Sequence, residues 1–115
     1  MKILNSSQKI TIPELKEMAN NMFGNFVKAV VDVELDIMAV DAELHADIEA
    51  LLLENGSKQE NLWGINLYPE LSRTDFIEFD SMINIRPGQN NKSRNIEDPK
   101  IREEILAIVN KLVAK

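Results

Sequence analysis

Apolar residues recur at helical spacing near the two ends of the chain, and between them the period falls to two. Ile12, Leu15, Met18, Ala19 and Met22 form one stripe. Thr11-Ile12-Pro13-Glu14 precedes it in capping-box form, with proline in the first turn, and Gly24 stands where a left-handed cap would end the helix. A second stripe, Ile101, Ile105, Ile108, Val109 and Leu112, follows Asp98-Pro99, a natural cap and first helical residue. Glu103 and Glu104 early and Lys111 and Lys115 late complement the dipole of this closing helix.

After a short extended start and the first helix, β-branched residues and alternation predict one long strand from Val27 to Val40. A tight turn near Asp41-Ala42 leads to a second strand from Glu43 to about Glu54. Its later part, Leu51-Leu52-Leu53, is apolar on both faces and calls for cover on both sides, a dimer partner being one candidate cover. Turn chemistry over 55–60 separates it from a third strand, Leu62 to Tyr68, stopped by Pro69. A fourth strand runs from Phe76 to Arg86, and a polar loop, Pro87 to Glu97, precedes the last helix. The order α-β-β-β-β-α predicts an α+β fold: a four-stranded antiparallel meander with the N-terminal and C-terminal helices packed on one face.

The alternation also sorts charge. Asp32, Glu34 and Asp36 on the first strand, His45, Asp47 and Glu49 on the second, and Glu78 and Asp80 on the fourth share the phase opposite the apolar residues. In a hairpin turning at Asp41-Ala42, carboxylate faces carboxylate in either plausible register, which destabilises a sheet. Three explanations stand side by side: screening by solvent with Lys28 or Arg86 nearby, a basic partner or symmetric dimer, and a divalent metal. The metal candidates are His45, Asp47, Glu49 and Asp80, with Asp36 across the hairpin. Water activated on such a metal could attack a phosphoester, with His45, Asp47 and Arg86 as candidate catalytic groups.

Composition narrows the field. One domain over residues 1–115 is expected, and 44% hydrophobic content suffices for a single core. A net charge of -6 argues against non-specific nucleic-acid binding. No cysteine is present, so thiolate metal sites and disulfides are excluded. The start lacks the apolar run of a signal peptide, and no stretch approaches the roughly 20 apolar residues of a membrane helix. The expected location is cytoplasmic, without a membrane partner.

A second candidate site follows the fourth strand. Asn84, Arg86, Gln89, Lys92 and Arg94 gather amides and cations suited to an anion. Gly56-Ser57-Lys58-Gln59 lacks the spacing of a phosphate loop, and Ser57, Ser81 and Ser93 sit in no nucleophile elbow. Trp63 reads as core or interface, and Gly64 as a point of close backbone approach or a bulge.

Glu43-Leu44-His45-Ala46-Asp47, Gly56-Ser57-Lys58-Gln59-Glu60-Asn61-Leu62-Trp63-Gly64 and Asn84-Ile85-Arg86-Pro87 resemble stretches of a small prokaryotic domain-of-unknown-function family, over most of the chain. The resemblance implies one complete unit and transfers no activity or site residue. The functional expectation is a small soluble binding or interaction protein without catalysis, using the acidic sheet face or the Arg86 loop. Its partner would be a second copy, another protein or a small molecule. The alternative is a small metal-dependent hydrolase of a phosphate-containing substrate.

Overall fold

The computed structural model describes residues 1–114. It is an α+β fold built on one five-stranded antiparallel sheet with helices on both faces. In chain order come β1 (Lys2–Leu4), β2 (Ile10–Thr11), α1 (Ile12–Asn21), β3 (Val27–Asp32), β4 (Ile37–Val40), α2 (His45–Glu54), β5 (Leu62–Leu67), β6 (Ile77–Glu78), α3 (Pro99–Leu112) and β7 (Val113–Ala114). The sheet order is β1-β4-β3-β5-β6, and β2 and β7 form a separate parallel pair. Among the described residues no helix is long and apolar enough to cross a membrane.

Both terminal helices form where the periodicity places them. The Thr11 hydroxyl accepts from the Glu14 amide at 3.3 Å while the Thr11 amide donates to Glu14 Oε1 at 3.2 Å. Gly24, at φ 93°, donates its amide to the Ala19 carbonyl and closes the end of α1. Asp98 caps α3 through the Lys100 amide at 2.9 Å. Leu15 and Ala19 of α1 and Ile105, Ile108, Val109 and Leu112 of α3 share one core with Ala29, Val31, Met38, Trp63 and Ile65 of the sheet. The late Lys111 lies in the last turn of α3, whereas Lys115 is outside the described residues.

The middle of the chain departs from the meander. The long strand predicted from Val27 to Val40 is a hairpin, because the Asp32 carboxylate captures the amides of Glu34 and Leu35, each at 2.9 Å, and turns the backbone. Asp36 completes the turn at φ 55°. The predicted second strand is the helix α2. Its Ala, Leu and Glu content favours a helix, and the buried residues His45, Ile48 and Leu52 are spaced three and four apart. A period of two and a helical period coexist in those ten residues, and packing selects the second.

α2 covers the face of the sheet opposite α1 and α3. It buries Val30, Ala39 and Leu62 with Ile48 and Leu52, and Ile83 packs beside them. β4 and β5 flank β3 and both run antiparallel to it, so the link between them must cross over, and α2 supplies that crossing. The acidic sheet face is therefore absent. Asp32 is fully buried and also accepts from Ser57 Oγ at 2.6 Å, Glu34 and Asp36 sit in the hairpin turn, and Asp47 and Glu49 ride on α2. On α2, Leu51 and Leu52 pack into this second core against the sheet, whereas Leu53 is exposed.

The predicted fourth strand, Phe76 to Arg86, pairs for only two residues. Beyond Glu78 the outer edge of β5 is closed by side chains. Asn84 Nδ2 donates to the Gly64 carbonyl at 2.9 Å, and the Gly64 amide donates to Asn84 Oδ1 at 2.8 Å. Two residues on, the Arg86 guanidinium donates to the carbonyls of Leu62 and Gln59, with its centre 4.2 Å from the centroid of the Trp63 ring. The segment lies so close that a Cβ on Gly64 would stand 2.5 Å from Ser81 Cβ and 2.6 Å from Ser81 Oγ. Gly64→Ala is expected to cost about 1–3 kcal/mol of stability through overpacking. Urea unfolding of a Gly64→Ala, Ser81→Gly cycle should show part of that loss recovered in the double variant.

Candidate functional site

α2 begins too late to cover the whole sheet. The β3–β5–β6 register places Lys28 opposite Asn66 and Asn66 opposite Glu78, one row across three strands. The next row outward is aromatic, with the rings of Phe26 and Tyr68 5.5 Å apart. These uncovered rows floor a cleft of about 460 Å³, walled by Leu44, His45 and Ala46 at the start of α2 and by Asp80–Ile83 with Arg94 opposite. That volume falls in the range of small-molecule sites.

His45 is 8% exposed, and its Nε2 lies 2.8 Å from the carbonyl oxygen of Ile65. A carbonyl only accepts, so Nε2 carries the proton and Nδ1 keeps its lone pair. Burial holds the imidazole below its ordinary pKa, against the pull of the Ile65 carbonyl. Lys28 lowers it further, Asp80 raises it and Arg94 lowers it. The ring is neutral at neutral pH.

Asn66 is 6% exposed and half satisfied. Its Nδ2 donates to Glu78 Oε1 at 2.8 Å and toward the Asp80 carbonyl at 3.4 Å, while its buried Oδ1 has no partner. The Tyr68 hydroxyl donates to the same Glu78 oxygen at 2.9 Å. Burial, and then Glu78, hold the Tyr68 phenol above its usual pKa. Arg94 Nε donates to Asp80 Oδ1 at 2.6 Å. No side chain caps α2, so the positive end of that helix opens on the cleft.

The structure brings His45 and Asp80 of the metal candidates to this cleft, with Arg94 of the anion candidates. Asp47 lines a shallow depression with Met1, Leu51 and Glu54. Glu49 lies one turn beyond His45, its Oε2 buried without a partner, and its charge acts on Arg86 against the burial that lowers the pKa of that guanidinium. Asp36 remains in the distant hairpin turn. Among the described residues no three His, Asp or Glu side chains are grouped as a metal site.

Asn84, Arg86 and Gln89, of the remaining anion candidates, donate to the chain's own backbone. Asn84 and Arg86 serve the edge of β5, and Gln89 Nε2 donates to the Glu60 carbonyl at 2.9 Å. Asn91, 3% exposed, ties the loop together by donating to the carbonyls of Asn84 and Asn95, each at 2.7 Å. The backbone amide of Lys92 donates to Glu97 Oε2 at 2.8 Å, and the Lys92 residue is exposed.

A family model described as Protein of unknown function (DUF5674) matches residues 3–112. The chain belongs to that family. No curated protein and no solved structure matches the sequence. In this DUF5674 chain the stretch Glu43 to Asp47 starts α2 and supplies one wall of the cleft, and Asn84 to Pro87 closes the sheet edge.

Asn66 and Tyr68 are not among the candidates read from sequence, where Glu78 enters only as part of the acidic face and Lys28 only as a screening cation. Asn66 carried a signal: a lone amide between Ile65 and Leu67 in a strand buried at every position. The pairing with Lys28 carried none, since β3 and β5 are separated in the chain by β4 and α2. One test of the site uses the single histidine of this DUF5674 chain. Its folded pKa is lowered, so the unfolded chain binds more protons between the two values, and the contribution is complete above the ordinary 6.5 and lost as pH falls through the folded value. Imidazole NMR should place the midpoint below 6.5, and thermal melts should lose stability on acidification more steeply in the wild type than in His45→Gln.

Proposed function

We propose that the chain is a small-ligand binding protein without catalysis, and that its ligand occupies the cleft between the start of α2 and the Asp80–Ile83 segment. The observation that carries this reading is the unpartnered Oδ1 of Asn66. A buried acceptor left without a donor costs about 1–3 kcal/mol, and a ligand donor in the cleft would recover it. The surroundings fit: an acceptor nitrogen on His45, a helix start without a side-chain cap, and exposed Leu44 and Met82 at the rim. Convergent polar groups inside an apolar rim are the usual design of a binding pocket.

The test is a titration of ¹⁵N-labelled protein with a panel of small carboxylates, amines, sugars and nucleotides. At least one class should shift amides confined to residues 26–28, 44–46, 66–68 and 78–83, with binding weakened at least about tenfold in Asn66→Ala, as expected for a lost buried hydrogen bond. A panel that leaves those amides unmoved, or shifts other surfaces alone, refutes the reading.

A further inference from the structure

The cleft holds two opposite charges that are not matched to each other. Among the described residues Lys28 pairs with no carboxylate, its ammonium resting 4.9 Å from the centroid of the Phe23 ring. Glu78, at the other end of the same row, accepts from the neutral Asn66 amide and Tyr68 hydroxyl and pairs with no cation there. One strand, β5, separates them, so their backbones stand two strand spacings apart, about 9–10 Å. Asn66 lies midway with its acceptor free.

Resting on the cleft reading above, we infer that the ligand is a zwitterionic α-amino acid with an apolar or aromatic side chain, seated over Asn66. Its carboxylate meets Lys28 and the start of α2, which no side chain caps and where negative charge is favoured. Its ammonium donates to Asn66 Oδ1 and faces the carboxylates of Glu78 and Asp80. The side chain lies against the Phe26 and Tyr68 row or the Leu44 and Met82 rim. The helix start does not stand alone in this argument, since the 94% buried amide of Asn66 independently demands a donor. A simple anion would leave that acceptor and Glu78 unanswered, and a simple amine would leave Lys28 and the helix amides unanswered. A ligand that carries an ammonium and a carboxylate on one carbon answers all four.

The test compares three probes on the same labelled protein: L-phenylalanine, 3-phenylpropionate, which lacks the ammonium, and phenethylamine, which lacks the carboxylate. L-phenylalanine should shift the cleft amides and bind at least about tenfold more tightly than either analogue, each having lost a charge-assisted hydrogen bond. Lys28→Gln should weaken L-phenylalanine and leave phenethylamine unchanged. If either analogue binds the cleft as tightly as L-phenylalanine, the zwitterion is wrong and the cleft remains a binding site. If other panel compounds shift the cleft and L-phenylalanine does not, the inference fails alone. If nothing shifts it, both fall.

Discussion

The structure depends on how the outer edge of β5 is closed. A central strand whose neighbour runs for two residues presents backbone donors and acceptors that must be paired or wetted, and buried ones are costly when left alone. Here a single asparagine supplies both a donor and an acceptor to Gly64, and an arginine two residues later takes the next carbonyl along the edge. The segment must lie almost in contact with the strand to do this, which is why residue 64 has no side chain. The same approach sets Asp80 to Ile83 beside the sheet face and so raises one wall of the cleft.

The other wall follows from covering β3 on both sides. Val31 faces the core under α1 and α3, while Val30 faces the core under α2, so the strand tolerates little charge along its middle. Asp32 at its end is buried because three donors surround it: two backbone amides and the Ser57 hydroxyl. Lys28 at the other end lies where α2 has not yet begun. A ten-residue helix spans about 15 Å, and where it stops the sheet shows its polar row. The cleft is the remainder of an incomplete cover, furnished with groups that do not complete one another.

Much of the framework was legible in the chain itself. The capping box at Thr11, the Asp98-Pro99 start, both helical stripes, the strand from Leu62 and the close approach at Gly64 are local features, set by side chains within a few residues or by the absence of one. His45, Asp80 and Arg94 were recognised as chemistry-bearing, although they were assigned to two different sites. The middle of the chain carries two periods at once. Ile48 belongs both to the alternating set Leu44, Ala46, Ile48 and Ala50 and to the helical set His45, Ile48 and Leu52, and only the neighbours in space distinguish the two.

Local sequence thus determined where the chain turns, caps and buries apolar stripes, because those preferences act over one or two turns of backbone. The tertiary structure alone decided that the Glu43 to Glu54 segment is a helix crossing the sheet, that Asn84 and Arg86 stand in for a missing strand, and that Lys28, Asn66 and Glu78 share one row. The register between β3, β5 and β6 is fixed by burial on two faces at once, and no stretch of the chain carries that information by itself.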